Sequence, residues 1–219
     1  TFGFPCRIEE IIEVANKYCI PVIEDSAESL GSFYKSKHTG TFGIAGVLSY
    51  NGNKTITTGG GGMIITDNEE FAKRVKHLTT TAKVNHKWEY IHDEVGYNYR
   101  LTNVGAALGV AQMEKLTDIL ENKEKTAKEY ENFLKDTDVE FISGQSFMKS
   151  NYWLNCIKLS NIKDRDVFLE ESNSNNVMTR SIWRLMNNLK MYKQCQKGNI
   201  ENSILLEERI VNIPSGYRI

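Results

Sequence analysis

The stretch Pro21-Val22-Ile23-Glu24-Asp25 decides the fold class of this chain. Before it, apolar residues recur at helical spacing between charged ones, which predicts a helix that ends near Cys19. Val22 and Ile23 then form an apolar run that ends in two acidic residues, and this predicts a short strand. A helix, a short turn and a strand that ends in acid form half of an α/β unit, so we expect an α/β fold.

Two more apolar runs predict two more strands, one at Ile44–Tyr50 and the other at Met63–Thr66. In such sheets, polar residues just past the carboxyl end of a strand face the ligand crevice. Three strands are fewer than a doubly wound sheet usually contains. The chain also starts just before its first helix, and it stops abruptly with Tyr217-Arg218-Ile219 after the turn-like Pro214-Ser215-Gly216. These features predict that it is part of a larger enzyme, truncated at both ends.

Caps and charge patterns predict the helices around these strands. Asp67 is expected to cap a helix that runs to about His77, because acidic residues fill its first turn. The aromatic and polar stretch 79–100 has no clear period, which predicts a long functional or interface loop. Asn103 is expected to cap one long helix, whose small apolar first half is buried. Its charged second half, 121–135, is expected to cross to a second lobe.

From Val139 onward the pattern is that of a small α+β lobe. Strands are predicted at Trp153–Leu159 and Val177–Trp183, and a short helix at Asp164–Glu171. We therefore divide the chain into part of a large domain with its connecting helix, residues 1–135, and a small C-terminal lobe, residues 136–219.

The composition is that of an ordinary globular protein, with 219 residues of which 40% are hydrophobic and 25% charged. The formal net charge of −1 gives no electrostatic footprint for nucleic acid or an anionic membrane, so neither partner is expected. No apolar run approaches the length of a membrane span, and no cationic, apolar leader opens the chain. The cysteines are scattered, which favours reduced thiols in the cytoplasm over a disulfide scaffold or a zinc module. They are Cys6, Cys19, Cys156 and Cys195.

A lysine in a turn is the first candidate for catalysis. Lys54 follows an apolar strand in a Gly/Asn turn, and the glycines Gly59–Gly62 then open into another strand. A phosphate-binding loop or a dinucleotide fingerprint would open into a helix. The glycines are therefore expected to allow a close backbone approach or a positive φ. The alternative is a hairpin turn without a ligand, in which Lys54 is a solvated charge.

Asp25 offers Lys54 a partner of complementary chemistry. A lysine amine forms Schiff bases with carbonyl compounds and with pyridoxal phosphate. Enzymes that use this cofactor also need a carboxylate on its pyridinium nitrogen. Asp25 ends the preceding apolar strand, where that carboxylate would stand. Its alternative role is that of a helix cap or turn former.

Three motifs, in this order and spacing, resemble the DegT/DnrJ/EryC1/StrS family of sugar-nucleotide aminotransferases. They are Val22-Ile23-Glu24-Asp25-Ser26-Ala27-Glu28-Ser29-Leu30-Gly31, Ser49-Tyr50-Asn51-Gly52-Asn53-Lys54 with its Thr-Thr-Gly-Gly-Gly-Gly-Met tail, and Gly96-Tyr97-Asn98-Tyr99-Arg100. The resemblance extends over essentially the whole chain, including Thr179–Trp183 and Ile213–Gly216. It implies a fold-type I enzyme dependent on pyridoxal 5'-phosphate, with part of a large mixed-sheet domain and a small C-terminal lobe. It is closest to the perosamine, bacillosamine and legionaminic types of 4-aminotransferase.

The resemblance also implies roles for individual residues. Lys54 would bind the cofactor covalently and later shuttle a proton, and Asp25 would keep the pyridine nitrogen protonated. Ser49 would bind the cofactor phosphate, and Asn98 would reach the same phosphate from a neighbouring subunit, which requires a homodimer. Glu28 stands where many relatives carry another polar residue near the phenolic oxygen of the cofactor, and it is implied to be cofactor-binding.

The implied reaction moves an amino group from an amino acid, L-glutamate, to a nucleotide-linked 4-keto-6-deoxy sugar for surface polysaccharide or glycan biosynthesis. Arg180, Trp183 and Tyr192 fall where the small lobe would close over the nucleotide sugar, although residues there often only pack. Two alternatives stay open, a 3-keto sugar aminotransferase and a non-catalytic protein of this fold that binds a sugar nucleotide. The family's upstream phosphate loop and stacking aromatic ring lie outside this chain, so the chain alone is expected to hold an incomplete site.

Other candidate sites are weaker. The histidines show no metal-ligand spacing, so no metal is expected; they are His38, His77, His86 and His92. Ser49 lacks the surroundings of a hydrolase nucleophile. An aromatic cluster favours a packed dimer interface over base stacking, because no basic groove accompanies it. Its members are Trp88, Tyr90, Tyr97 and Tyr99.

Overall fold

The computed structural model describes residues 1–218 of the chain. The elements, in chain order, are α1 (Ile8–Lys17), β1 (Ile23–Asp25), β2 (Phe33–Tyr34), β3 (Lys37–His38), β4 (Ala45–Ser49), β5 (Gly62–Ile65), α2 (Glu69–Thr79), β6 (Lys83–Val84), β7 (Ile91–His92), α3 (Asn103–Met113), α4 (Leu116–Leu134), β8 (Glu140–Phe141), β9 (Met148–Lys149), β10 (Asn155–Lys158), α5 (Ile162–Ser174), β11 (Arg180–Ser181), α6 (Glu201–Glu207) and β12 (Ile210–Ile213).

The described chain forms two compact units. The first contains Thr1, Gly3–Ile119 and Ser146–Asn151, and the second contains Phe2, Leu120–Gln145 and the chain from Tyr152 onward. Most of α4 lies in the second of these units. The division drawn from the sequence, residues 1–135 and 136–219, stays a prediction. The charged pattern of α4 says that it is a helix, but only its packing says which unit it joins.

The first unit is built on the three-stranded mixed sheet that the sequence predicts. Its strand order is β1-β4-β5, in which β1 and β4 are parallel and β4 and β5 antiparallel. Asp25 pairs with Val47, and Ser49 pairs with Gly62. The observed β4 and β5 begin or end within a residue or so of the predicted strands, which is the usual uncertainty of such boundaries.

The two faces of this sheet differ in their packing. One face carries Leu48, which packs with Leu30, Tyr50 and Ile56 in the core of the unit. Successive side chains along a strand point to opposite faces. Asp25, Val47 and Ser49 therefore lie on the other face, where Val47 is exposed and Ser49 is half-buried.

Helix α2 is capped by Asn68, so the prediction of Asp67 as its cap is wrong. Asn68 has an extended backbone, and its side chain accepts a hydrogen bond of 2.9 Å from the backbone N–H of Phe71. Asp and Asn are equally good N-caps, so composition cannot choose between neighbours. The backbone conformation of residue 68 makes the choice.

The single long helix predicted from Asn103 is in fact two helices. Thr102 caps α3 by accepting from the N–H of Gly105 at 3.2 Å, so the cap is one residue earlier than predicted. The chain then turns at Lys115, whose N–H bonds to the carbonyl of Gln112 at 3.1 Å, before α4 begins. The predicted burial of α3 is wrong within this chain, since only Gly105 is buried and its larger apolar side chains are exposed. These are Val104, Leu108, Val110 and Met113.

The stretch 79–100 contains a small antiparallel hairpin, β6 with β7, in place of an entirely irregular loop. Strands of two residues are too short for a period of two to show in the sequence. Tyr97 and Tyr99 stack after the hairpin with ring centroids 5.1 Å apart. Both rings are exposed, as are those of Trp88 and Tyr90.

The second unit is the small α+β lobe that the sequence predicts. Its antiparallel sheet has the order β11-β12-β10-β8. Its buried core consists of Ile157 from β10, Leu159 just after β10, and Val211 and Ile213 from β12. Helix α5 is longer than predicted, because the Asn161 side chain caps it by accepting from two backbone N–H groups. The strand predicted at Val177–Trp183 is limited to β11.

All four cysteines are free. Burial raises the pKa of the Cys156 thiol, so this sulfur stays protonated. Within residues 1–218, no helix has both the length and the apolar character that crossing a bilayer requires.

Candidate functional site

Asp25 and Ser49 lie at the carboxyl ends of neighbouring parallel strands. Because Asp25 pairs with Val47, Ser49 lies one step further along the same face of the sheet. One oxygen of Asp25 accepts from the N–H of Ala27 at 3.1 Å, and within residues 1–218 its other oxygen has no hydrogen-bond partner. The Ser49 hydroxyl accepts a long bond, 3.4 Å, from the N–H of Asn51. Both side chains can therefore form further hydrogen bonds on the exposed face of the sheet.

Lys54 lies in the loop that joins β4 to β5. The hairpin continues past β4, since the N–H of Tyr50 bonds to the carbonyl of Gly61 at 3.0 Å. The N–H of Lys54 closes a turn on the carbonyl of Asn51, also at 3.0 Å. The side chain of Lys54 is only 13% exposed, so it is not the solvated turn lysine of the alternative interpretation.

Glu28 is the ionic partner of this lysine. Its carboxylate lies 3.3 Å from the Lys54 amine and is 34% exposed. Glu28 belongs to the loop that follows β1, so the pair links the carboxyl end of β1 to the loop after β4. A carboxylate at this distance keeps the ammonium charge compensated where water is scarce.

The glycines before β5 meet both expectations of the sequence analysis. Gly59 and Gly61 have positive φ, +80° and +90°. A side chain on Gly62 would lie 2.4 Å from the carbonyl oxygen of Leu48, so only glycine lets the two strands come this close. The glycine run therefore shapes the hairpin that carries Lys54.

Glu24 is a residue of this site that the sequence analysis missed. Its carboxylate accepts three backbone N–H bonds, from Gly40 at 2.7 Å, Phe42 at 2.6 Å and Gly43 at 2.8 Å. Because side chains alternate along β1, Glu24 lies on the face of the sheet opposite to that of Asp25. The sequence could have indicated its role, since an acidic residue on the core side of a strand needs hydrogen-bond donors. It anchors the loop 40–43 against the strand that carries Asp25.

A cleft of about 460 Å³ adjoins this end of the sheet. Its wall includes Asp25 and Glu28, together with residues on either side of them and the segment that precedes α1. Lys54 and Ser49 do not line it. The structure therefore brings Lys54 to Glu28, and Asp25 to Ser49, on neighbouring parts of the same unit.

Asn98 lies on the exposed stretch that follows the β6–β7 hairpin. It forms an isolated antiparallel bridge with Thr80, and its neighbours Tyr97 and Tyr99 bond through their N–H groups to the carbonyls of Leu78 and Thr79. Its exposure within one chain is consistent with the role across a subunit interface that the resemblance implies.

The three candidates of the second unit differ in their surroundings. Arg180 donates to the side-chain oxygen of Asn173 at 3.3 Å and to the carbonyl of Thr179 at 3.1 Å, which ties it to α5. The ring of Trp183 stacks on that of the buried Trp153, 6.0 Å away, yet Trp183 is 54% exposed. Tyr192 ends a short 3-10 helix, Lys190–Tyr192, and is also exposed.

His77, Asp93 and Glu94 form a further polar cluster that the sequence spacing did not indicate. The ring of His77 lies 2.7 Å from the Asp93 carboxylate. Arg74 donates to both oxygens of Glu94, and this contact lowers the pKa of that carboxyl. Because Arg74 already bonds to both oxygens of Glu94, the cluster is best described as an ion-pair network that holds the hairpin to α2.

Comparison with known proteins gives a family match over the complete chain. The sequence model of the DegT/DnrJ/EryC1/StrS aminotransferase family matches residues 1–219. The GDP-perosamine synthase of Escherichia coli O157:H7 is 35% identical over 215 residues, which are 98% of this chain and 58% of that protein. The UDP-4-amino-4,6-dideoxy-N-acetyl-beta-L-altrosamine transaminase of Campylobacter jejuni is 36% identical over 151 residues, 68% of this chain and 40% of that protein.

Solved structures agree in fold. The aminotransferase TlmJ from Streptoalloteichus hindustanus superposes with a TM-score of 0.91 at 22% identity, over 98% of this chain and 58% of that one. This likeness establishes the fold as that of the fold-type I aminotransferases. The chain spans only about half the length of the curated relatives it matches.

Proposed function

Because this chain belongs to the DegT/DnrJ/EryC1/StrS aminotransferase family, we propose that its protein transfers an amino group to a nucleotide-linked keto sugar with the help of pyridoxal 5'-phosphate. The observation that carries the proposal is the Lys54 amine, largely removed from water and held 3.3 Å from Glu28 in the loop after β4. The aminotransferases of this family depend on that cofactor.

The residues present fit pyridoxal phosphate by their chemistry. The cofactor has an aldehyde, a basic ring nitrogen and a phosphate, and these require an amine, a carboxylate and hydroxyl or amide donors. Lys54, Asp25 and Ser49 supply one of each, and Asp25 and Ser49 keep bonding capacity toward one face of the sheet. When bound, the cofactor supplies a carbonyl for the amino group and a ring that accepts the electrons released during transfer.

Each of the candidate residues would have its own role in binding the cofactor or in the transfer. Lys54 would hold the cofactor through its amine, be displaced by the amino donor and move a proton at the reacting carbon. Asp25 would accept a hydrogen bond from the protonated ring nitrogen, and Ser49 would donate one to the phosphate. Glu28 would remain beside the lysine amine and bind near the ring's phenolic oxygen. Asn98 would donate to the phosphate from a second copy of the chain.

The proposed acceptor is a 4-keto-6-deoxy sugar on a nucleoside diphosphate, with L-glutamate as the amino donor. Two relatives are named for nucleotide-linked amino sugars, one of them for amination at position 4, and this supports the proposal. Arg180, Trp183 and Tyr192 are proposed to contact the nucleotide sugar. Comparing 4-keto with 3-keto substrates would separate this proposal from the 3-aminotransferase alternative.

A homodimer in the cytoplasm completes the proposal, and its product would serve surface polysaccharide or glycan synthesis. Helix α3 supports the dimer, because it is apolar on nearly all sides and yet buries only Gly105 within the chain. A helix of that composition is normally covered by other protein. Exposed aromatic residues also lie next to Asn98, in the same unit as α3.

The test is to locate the cofactor covalently. The full-length protein is saturated with pyridoxal phosphate, reduced with borohydride and digested, and the pyridoxyl group is mapped by mass spectrometry. We expect the label on Lys54. The variant Lys54→Arg keeps the charge opposite Glu28 but cannot hold the cofactor, so label is lost and kcat falls about 10³-fold or more.

Lys35→Arg is the matched control, because Lys35 is an exposed lysine that also pairs with a glutamate, Glu9. This variant should keep both label and activity. Release of 2-oxoglutarate at the normal rate by the Lys54 variant would overturn the proposal. Cofactor uptake without any release of 2-oxoglutarate by the native protein would favour a non-catalytic sugar-nucleotide-binding protein.

A further inference from the structure

Asn151 is a buried side chain at the centre of the loops that hold Lys54 and Glu28. It belongs to the segment Ser146–Asn151, which returns to the first unit, and it is only 1% exposed. Its amide nitrogen donates to the carbonyl of Glu28 at 3.0 Å, to the carbonyl of Leu30 at 2.9 Å and to the hydroxyl of Thr55 at 3.1 Å.

These three acceptors belong to the two sides of the Lys54–Glu28 pair. Glu28 and Leu30 lie in the loop after β1, and Thr55 directly follows Lys54 in the loop after β4. One amide group therefore connects the backbone of Glu28 to Thr55, the residue next to Lys54. Neither loop needs Asn151 to close its own turns, which are made by bonds such as that between Lys54 N–H and Asn51 carbonyl.

The surroundings of Asn151 hold this amide in one orientation. Its backbone N–H donates to the hydroxyl of Ser32 at 3.0 Å, and that hydroxyl donates in turn to the carbonyl of Gly3 at 2.6 Å. A side chain at Gly3, where φ is +93°, would lie 1.9 Å from the Asn151 side-chain oxygen. Glycine at position 3 thus leaves the room that the amide occupies, and the NH₂ group is left facing the three acceptors.

We propose that Asn151 is a positioning residue, which fixes the Lys54 amine beside the Glu28 carboxylate by tying the two loops together. The role rests on the proposed function, since Lys54 is the residue expected to hold the cofactor. The side chain at this position must be a donor, because all three of its partners act as acceptors. A carboxylate of the same shape would face the carbonyl oxygens of Glu28 and Leu30 with no proton to share.

Thr55→Val is the sharpest test, because it cuts one link of the network and leaves the rest intact. Valine has the shape of threonine but lacks the accepting oxygen. An NH₂ group has two protons, and the carbonyls of Glu28 and Leu30 remain to accept them, so no buried donor is left without a partner. The variant therefore frees the Lys54 loop at little cost to folding.

The readout is the reactivity of Lys54 in the cofactor-free, full-length protein. Lysines are reductively methylated with limiting formaldehyde and cyanoborohydride, and the rate at Lys54 is divided by that at Lys35 in the same sample. We expect Thr55→Val to raise this ratio about fivefold, the factor that corresponds to the loss of one hydrogen bond. Thr55→Ser restores the acceptor and should return the ratio to that of the native protein.

Asn151→Asp provides the second variant, with thermal unfolding measured alongside the labelling. It should raise the ratio at least as far as Thr55→Val and also lower the melting temperature. If the melting temperature falls but neither variant changes the labelling ratio, Asn151 has a structural role only and the proposal is overturned. The ratio needs no cofactor, so failure of borohydride to fix pyridoxal phosphate on Lys54 would refute the proposed function and leave this test standing.

Discussion

Lys54 and Lys123 are two lysines with little exposed surface, and their neighbours give them different chemistry. The Lys54 amine faces the carboxylate of Glu28 at 3.3 Å. Lys123, on α4, is 6% exposed and donates to the carbonyls of Trp153 at 3.3 Å and Ser215 at 2.6 Å. Carbonyl dipoles compensate a buried charge less well than a carboxylate does, and burial lowers the pKa of Lys123 to about 8.

The lowered pKa of Lys123 predicts a stability that increases in mild alkali. In the unfolded chain this lysine has its ordinary pKa of 10.5, so between pH 8 and pH 10.5 the unfolded state binds more protons than the folded state. Stability must then rise with pH over this window. We expect the free energy of unfolding to gain up to about 3 kcal/mol from this residue.

Urea unfolding of the native protein and of Lys123→Met at several pH values between 8 and 10.5 isolates this effect. The native-minus-variant difference should grow with pH. Lys128→Met, an exposed position on the same helix, should follow the native curve. Parallel curves for the native protein and Lys123→Met would show that the buried amine keeps its ordinary pKa.

At the scale of elements, the local sequence leaves the start of a helix undecided between neighbouring residues. For α2 both Asp67 and Asn68 have side chains that cap helices, and the acidic first turn suits either choice. Only the chain direction after β5 decides that residue 68 takes the extended conformation with its oxygen on the Phe71 N–H.

The cap of α2 leads to a prediction that distinguishes the two residues. Asn68→Ala removes the oxygen that satisfies the Phe71 N–H, so it should lower the free energy of unfolding by about 1 kcal/mol. Asp67→Ala should change it by no more than about 0.5 kcal/mol, because Asp67 is exposed and accepts no bond at the helix end. Urea unfolding measures both. If Asp67→Ala lowered the free energy of unfolding more than Asn68→Ala does, Asp67 would be the cap, as the sequence predicts.

At the scale of the whole molecule, the exposed apolar surface of α3 is the feature that most needs a partner. Val104 and Leu108 are exposed on a helix that contains no charged residue, and such patches on a monomer mark interaction sites. The same unit carries the exposed aromatic residues beside Asn98. A second copy of the chain is the partner that the proposed function requires.

The dimer prediction concerns oligomeric state and cofactor retention together. Leu108→Glu places a charge on α3, which should shift the full-length protein toward monomer in sedimentation or light-scattering measurements. It should also weaken retention of pyridoxal phosphate, because Asn98 would no longer reach a neighbouring phosphate. Val167→Glu, at an exposed apolar position on α5, is the control and should change neither property. A monomeric native protein that retains cofactor would contradict the proposal.

The amino-acid sequence alone predicted the α/β class, the three strands of the sheet, the small α+β lobe and the family. It did so because these depend on hydrophobic period and on short motifs, which are local properties of the chain. Ser49 and Asn98 became candidates only through the resemblance to the family. The local pattern pointed to Lys54 and Asp25, and it anticipated why glycines precede β5. It placed the caps of α2 and α3 one residue off, because neighbouring residues offered equivalent hydrogen-bond acceptors.

Which of these residues contact one another depends on the folded chain. The Lys54–Glu28 pair joins residues 26 positions apart, and Asn151 reaches Glu28 from 123 positions away, so no local pattern could indicate either contact. Glu24 and Lys123 likewise bond to groups that are distant in the sequence, Glu24 to the loop 40–43 and Lys123 to the carbonyls of Trp153 and Ser215. The amino-acid composition indicates only which chemical groups are available to a site. Contacts between distant segments set the distances between those groups, because only folding brings these segments together.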